Sequence, residues 1–201
     1  MKIVIAQALF NSHSYLEYRK LMADLLKDGK STAVEQTQER THYSELNESR
    51  MRRLDKTMHI TDENGAKLKA LTKRYIWLVL SESWCGDAAQ ILPILHKMEL
   101  ESNGKIEMKL VLRDENETLM NHFLTHKGKA IPKLIVIDKE TGSVVGDWGP
   151  RPQGAVNLIE AYKAEFGSID ETVKANLQLW YLHDKGLSTQ NEIIQLLQNL
   201  E

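Results

Sequence analysis

The pattern of hydrophobic and polar positions predicts helices at the two ends of the chain and alternating strands and helices between them. From Tyr15 to Leu26 apolar residues recur at helical spacing, and Tyr43 to Met58 predicts a second, more polar helix with a partly solvated face. Thr61 has the side chain of a helix N-cap and predicts a short helix that leads into the first core strand.

Four segments of the central region are rich in the aliphatic and β-branched residues that strands favour. Tyr75 to Ser83 is a continuous apolar run, typical of a central strand covered on both faces. Lys105 to Arg113 alternates apolar and polar residues and predicts a second strand. Leu134 to Ile137 and Val144 to Trp148 predict a hairpin, because turn-forming residues fill positions 139–142.

Helical patterns follow these strands. They cover Gly86 to Leu100, with a kink expected at Pro93, then Asp114 to about Lys127, Ala155 to Phe166, Val173 to Leu182, and Ile193 to Leu200. In the second of these, His122 and His126 are four residues apart, a spacing that suits a metal pair. No third ligand is evident, so we interpret them as a solvated helix face and predict no metal site.

The order of these elements predicts an α/β fold with a mixed central sheet flanked by helices. The first two strands are joined through a helix and should be parallel, whereas the last two should be antiparallel. We expect a helical N-terminal extension packed on the core over residues 1–69, an α/β domain over 70–166 and a C-terminal helical extension over 167–201.

Composition and charge limit the classes of partner. The net charge of −2 suggests neither nucleic acid nor an anionic membrane as a partner, and no apolar run approaches the length needed to cross a bilayer. The chain has one cysteine, which cannot form an internal disulfide, so we expect a reducing, cytoplasmic location. The oligomeric state stays open.

That cysteine, Cys85, is the candidate reactive residue. It lies where a predicted strand ends and a predicted helix begins, and the positive end of a helix dipole favours thiolate over thiol. Because Gly86 has no side chain to cover the sulfur, we expect an accessible thiol with a pKa below the ordinary value of about 8.5. The alternative is a buried, inert cysteine.

At these residues the sequence resembles the thioredoxin family. Trp84-Cys85-Gly86 matches the first half of the family's Trp-Cys-Gly-Pro-Cys signature, and Ile131-Pro132 matches its cis-proline loop. The resemblance covers roughly residues 70 to 166. It implies a thioredoxin-like fold, a cis bond before Pro132 and a groove beside the thiol that accepts an extended segment of a partner.

The sequence also departs from the family pattern. Ala88 stands where the second, resolving cysteine belongs, Asp87 replaces the proline, and Val79 replaces the family's buried acid. The changes at Ala88 and Val79 both concern release of a mixed disulfide by a second thiol in the same chain, so conventional dithiol turnover is not expected.

Connections at the carboxyl ends of the strands should meet beside Cys85, the candidate catalytic residue. The candidate substrate-binding residues are Trp84, Gly86, Asp87, Arg113, Ile131, Pro132, Trp148 and Arg151. Both arginines could lower the pKa of Cys85 or hold a carboxylate of a small thiol, or they could form surface salt bridges. Trp148 could wall the groove or pack in the core.

Two functions fit these features. The first is a monothiol redox protein that forms mixed disulfides with protein or low-molecular-weight thiols through Cys85. The second is a redox-inactive, thioredoxin-like module that binds a protein or peptide. A weaker third option is the shared iron–sulfur cluster of monothiol glutaredoxins, which Cys85-Gly86 resembles in two residues only. No cofactor is expected.

Overall fold

Four strands form one mixed sheet in the computed structural model, which describes residues 1–201. They are β1 (Tyr75–Ser81), β2 (Ile106–Leu112), β3 (Lys133–Asp138) and β4 (Val144–Trp148), arranged in the order β2-β1-β3-β4. β1 is parallel to β2 and antiparallel to β3, and β3 forms the expected antiparallel hairpin with β4. The predicted mixed α/β sheet is therefore confirmed.

Nine helices surround the sheet. They are α1 (Lys2–Phe10), α2 (Tyr15–Lys27), α3 (Gln38–Thr57), α4 (Asp62–Lys69), α5 (Gly86–Glu101), α6 (Glu117–Met120), α7 (Gln153–Phe166), α8 (Glu171–Asp184) and α9 (Leu187–Gln198). α3 packs on α5, α8 packs on α7, and α9 contacts α4 and α5. No helix combines the length and the apolar composition that a bilayer crossing requires.

Side-chain caps explain where several helices begin. Ser14 and Glu17 form a reciprocal capping box at the start of α2, which satisfies two backbone N–H groups that have no partner inside the helix. Thr61 caps α4, as its residue type predicted, by accepting from the N–H of Asn64 at 3.2 Å. Asp170 does the same for α8.

A single hydrophobic core joins the sheet to both ends of the chain. Trp77 and Leu78 on β1 are fully buried, and the cluster around them includes Tyr18, Met51 and Tyr181 from helices outside the central region. Each large apolar side chain buried in this way contributes roughly 1.5–3 kcal/mol. The helical ends therefore pack on the core of the sheet, while the division at residues 70 and 166 stays a prediction.

The helix predicted from Asp114 to about Lys127 is wrong. Only α6 is helical there, and the chain then turns so that Phe123 is buried in the core. Thr125 and Gly128 close a tight turn through two backbone hydrogen bonds of 2.8 and 3.0 Å. His126 has a φ of 49° in that turn, so it does not share a helix face with His122.

We predict that Gly149, which precedes Pro150 beyond β4, cannot be replaced by alanine without a large loss of stability. Its φ is +117°, and a Cβ there would collide with the backbone carbonyl oxygen of Pro132. Gly149→Ala should lower the free energy of unfolding by about 3 kcal/mol, measured by urea denaturation.

Gly142→Ala is the matched control. Gly142 also has a positive φ, of +66°, but open space surrounds the position of its missing Cβ. Gly142→Ala should therefore lower the free energy of unfolding by only about 1 kcal/mol. Equal losses in the two variants would contradict the proposed collision at Gly149.

Candidate functional site

Cys85 is the N-cap residue of α5. β1 ends at Ser81, a short turn follows, and the Cys85 sulfur accepts from the backbone N–H of Ala88 at 3.5 Å. This is the strand-to-helix junction that the sequence predicted. The free N–H groups of the first helical turn point towards the sulfur and would stabilise a thiolate there.

The thiol itself is buried, contrary to the prediction. Cys85 is 8% exposed, and its S–H donates to the carbonyl oxygen of Ile131 at 3.3 Å. Burial is the main cause that raises the pKa of Cys85 to about 12, and the charge of Asp87 is the second. The Ala88 N–H and Arg151 lower the pKa by smaller amounts. The expectation of an accessible thiol with a lowered pKa is therefore wrong, because desolvation outweighs the helix N-terminus.

Asp87 connects the cysteine turn, which comprises residues 82–87, to the rest of the molecule. Its carboxylate is buried, accepts two hydrogen bonds from the guanidinium of Arg151, one from Nε at 3.1 Å, and accepts another from the Tyr181 hydroxyl at 2.8 Å. Burial raises the pKa of Asp87, and Arg151 opposes that rise. Tyr181 lies on α8, so the C-terminal helices are bonded directly to the turn that carries Cys85.

A second contact from α8 lies beside the first. The Nε2 of Gln90 on α5 donates to the Oε1 of Gln178 at 2.7 Å. A Cβ on Gly86 would lie 3.4 Å from the amide nitrogen of Gln178, so this side chain occupies the space that the glycine leaves. α8, which the sequence motif does not include, therefore packs directly beside Cys85 on the first turns of α5.

Polar contacts also join α3 to the cysteine turn. The Ser83 hydroxyl lies 2.7 Å from that of Ser44, and the Ser83 carbonyl accepts from the side chain of Asn47 at 2.8 Å. Thr32 adds a backbone N–H that donates to the Ser83 hydroxyl at 3.0 Å. All four residues are buried, so these bonds hold α3 in a defined place over the turn.

Glu82 lies at the centre of the same network. It is fully buried, accepts from the backbone N–H of Asp114 at 2.9 Å and also accepts from the Thr32 hydroxyl. Burial raises the pKa of Glu82 to about 7, although both hydrogen bonds act in the opposite direction. A carboxyl group that titrates near neutral pH therefore lies three residues before the cysteine. Val79, at the family's acid position, is buried in the apolar core.

A cavity of about 630 Å³ opens between this turn and the helices α3, α7 and α8. Trp84, Cys85, Gly86 and Asp87 form one side, and apolar residues of the helices form much of the other. The charged residues around it are Glu39, Arg40, Arg50, Asp87, Arg151, Glu171 and Lys174. Its volume is in the range of small-molecule binding sites.

The aromatic ring of Trp84 lies under two cations. The guanidinium carbon of Arg113 is 4.8 Å from the ring centroid and that of Arg40 is 5.6 Å away. Arg113 also forms an ion pair with Asp114 at 2.6 Å and does not line the cavity. Of the two arginines proposed from the sequence, only Arg151 reaches the cavity, where it pairs with Asp87.

The proline loop lies next to the thiol. The bond between Ile131 and Pro132 is cis in the structure, the isomer that the resemblance implies. Ile131 supplies the carbonyl that accepts from Cys85. Trp148 is elsewhere: its indole N–H donates to Glu192 of α9 at 2.8 Å, and the residue is not part of the cavity.

Sequence reasoning missed the site residues that come from the helical ends. Arg50, Gln178 and Tyr181 belong to helices whose polar positions look like solvated faces in the sequence. The only available signal was the weak apolar periodicity of these helices, and it does not show which polar side chains point inwards.

These features define a thioredoxin-fold protein with one thiol: a mixed sheet, a cysteine at the N-cap of the helix after the central strand, and a proline loop against its sulfur. A family model described as thioredoxin matches residues 33–163, more than half of the chain. The chain belongs to the thioredoxin family.

Two solved structures are similar in fold. One is the crystal structure of a protein of unknown function from Pseudomonas aeruginosa, with a TM-score of 0.65, 15% identity and 98% of both chains covered. The other is the crystal structure of an HIV epitope-scaffold, with a TM-score of 0.57, 19% identity, and coverage of 94% of this chain and 100% of that one. No curated protein matches the sequence. At these identities the two structures support the fold alone.

We predict that Tyr181→Phe makes Cys85 more reactive. The substitution removes the hydrogen bond between α8 and Asp87, which loosens the packing of α8 on this turn. It also disfavours the charged form of Asp87, and that charge raises the pKa of the thiol. The rate of alkylation by iodoacetamide should rise severalfold at mildly alkaline pH.

Tyr75→Phe is the control for that measurement. It removes a tyrosine-to-carboxylate hydrogen bond, to Glu201 at 3.0 Å, at the end of β1 that lies away from Cys85. Its alkylation rate should equal that of the wild type. Equal alkylation rates for Tyr181→Phe and the wild type would show that Tyr181 does not limit the reactivity of Cys85.

We predict that Glu82 makes stability fall as pH rises. Its pKa is about 7 in the folded protein against an ordinary 4.5, so its protonated form favours folding fully below about pH 4.5 and that contribution is lost by about pH 7. A pKa difference of this size corresponds to about 3 kcal/mol. The wild type should lose up to this amount relative to Glu82→Gln across that range.

Urea denaturation at a series of pH values measures the difference. Glu115→Gln, a change at an exposed carboxylate of the nearby turn, should follow the wild type at every pH. A constant difference between the wild type and Glu82→Gln would contradict the raised pKa.

Proposed function

We propose that the chain is a monothiol thiol–disulfide exchange protein that forms mixed disulfides through Cys85. The observation that carries this proposal is the position of Cys85, a residue at the N-cap of α5 that lines a cavity of small-molecule size. A disulfide that enters the cavity meets a sulfur already beside backbone N–H groups that favour its thiolate.

The exchange balances with one external disulfide as co-reactant. The Cys85 thiol loses its proton, and the thiolate attacks one sulfur of the disulfide. The S–S bond of that molecule breaks, and its second sulfur leaves as a thiolate that takes up the proton. The products are a mixed disulfide at Cys85 and one free thiol.

Completion of the cycle needs a thiol from outside the chain. Ala88, at the position of a resolving cysteine, has no sulfur, and the chain has no other cysteine. An external thiol attacks the mixed disulfide, releases Cys85 and forms a new external disulfide. Val79 takes the place of the family's buried acid. Its apolar side chain fits this cycle, because no second thiol of the chain has to be deprotonated.

The resting thiol is neutral and covered. Its raised pKa comes mainly from desolvation, while the Ala88 N–H acts in the opposite direction. Tyr181 and Gln178 of α8 contact Asp87 and Gln90 on the same helix as the thiol. We expect exchange to be slow in this state and faster when a local opening exposes the sulfur to water.

A second candidate function is a thioredoxin-fold binding module without redox activity. The hydrogen bond from the Cys85 S–H to Ile131 favours it, because this bond stabilises the protonated thiol and occupies a backbone carbonyl of the proline loop. In that case the cavity binds its ligand and Cys85 stays a buried thiol.

Intact-mass analysis separates the two candidates. We predict that native protein incubated with excess hydroxyethyl disulfide gains one mercaptoethanol by disulfide exchange, and that dithiothreitol removes it. Cys85→Ser should gain nothing. The same reaction in denaturant shows that the thiol is chemically competent. A native protein that stays unmodified while the denatured protein reacts would support the binding module instead.

A further inference from the structure

We propose that the cavity beside Cys85 selects disulfides that carry a carboxylate group, and that Arg50 of α3 binds this carboxylate. The inference rests on the proposed exchange function, and it adds the class of substrate. It differs from the option, raised from the sequence, that Arg113 or Arg151 holds the carboxylate, since both of these arginines already pair with aspartates.

Arg50 reaches the first turn of α5. Its Nη1 lies 3.8 Å from the point that a Cβ on Gly86 would occupy, and it donates to the Oδ1 of Asn47 at 2.8 Å. Asn47 is itself buried and bonded to the carbonyl of Ser83. The guanidinium is therefore held at the cysteine turn by a defined contact, one residue away from the nucleophile.

The charge of Arg50 has no carboxylate partner. The side chain is half-buried, its polar contact is the neutral amide of Asn47, and burial together with the charge of Arg53 lowers its pKa. A partly desolvated cation next to a second cation is costly unless an anion joins it. A bound carboxylate would supply that anion with the paired geometry that a guanidinium prefers.

The other cations of the cavity are already compensated. Arg151 pairs with Asp87, and Lys174 pairs with Glu171 at 2.6 Å. Arg40 lies over the Trp84 ring and near Glu35.

Glu39 is the one acid of the cavity without an ion pair, and it is exposed at the rim. Its charge is screened by solvent. The inner part of the cavity therefore favours an anion at Arg50.

The walls indicate a small ligand with an apolar part. Tyr43 of α3, Ile159 of α7 and Leu177 of α8 line the same cavity as Arg50. A compact disulfide with a carboxylate a few bonds from its sulfur can contact these walls while its charge lies at Arg50. The cavity volume of about 630 Å³ accommodates such a molecule.

Three aliphatic disulfides of different charge test the proposal: dithiodiglycolate is anionic, hydroxyethyl disulfide is neutral and cystamine is cationic. The rate of mixed-disulfide formation at Cys85 is followed by intact mass for each reagent. Arg50→Gln should slow the reaction with dithiodiglycolate about tenfold, the effect of one lost charge-assisted contact. It should leave the rate with hydroxyethyl disulfide unchanged and raise the rate with cystamine.

Two further variants control for structure and for general charge. Arg50→Lys keeps the charge and should restore part of the rate with dithiodiglycolate. Arg52→Gln removes a neighbouring, exposed arginine that pairs with Glu48 outside the cavity, and it should leave all three rates unchanged. If Arg50→Gln slows the three reagents equally, or slows none of them, the proposal is overturned.

A titration without chemistry separates this inference from the proposed function. Thiodiglycolate, a dicarboxylate that has a thioether in place of the disulfide, should shift the Gly86 amide signal in NMR spectra of the wild type but not of Arg50→Gln. If no disulfide reacts with the native protein and this shift is still seen, the exchange function fails and the carboxylate site stands. Reaction with all three disulfides, without an Arg50 effect and without the shift, overturns the site alone.

Discussion

The hydrogen bonds to the buried carboxylate of Asp87 are the interactions on which the structure of the site depends. A carboxylate inside a protein is strongly destabilising unless hydrogen bonds and an opposite charge replace its water. Arg151 supplies the charge from the loop after β4, and Tyr181 supplies a hydroxyl from α8. Three distant parts of the chain must therefore meet at the residue two places after the cysteine. Any movement of α8 or of the loop after β4 away from Asp87 has to break one of these contacts.

The strands were predictable because their chemistry is local. Residues 75–80 form a continuous apolar run that is typical of a central strand covered on both faces, and β1 pairs with both β2 and β3. The hairpin followed from turn residues between two apolar segments. The helix predicted over residues 114–127 failed for a non-local reason. Packing of Phe123 in the core and the tight turn at residues 125–128 outweigh a helical pattern that is weak over that length.

The location of Cys85 was predictable, but its state was not. A strand followed by a helix places the thiol at a helix N-terminus whatever the rest of the chain does. Its surroundings include α8, which lies almost a hundred residues further along the chain, and no pattern in α8 indicates that Tyr181 faces Asp87. The same limit applies to Arg50. It is one of three arginines within four positions of a polar helix, and only the packing of α3 distinguishes it from Arg52.

The helical ends affect both the pKa of Cys85 and the shape of the space beside it. They contribute to the buried surroundings of Cys85, and burial raises the pKa of its thiol, which we expect to slow unselective reactions. By enclosing the space beside it, they convert an open groove into a cavity that has one uncompensated cation, Arg50. An open thiolate reacts with whatever disulfide diffuses to it, whereas a covered thiol reacts only with a partner whose binding offsets the cost of opening. The low reactivity and the charge selectivity that we propose would both follow from the same packing of α3 and α8 against the cysteine turn.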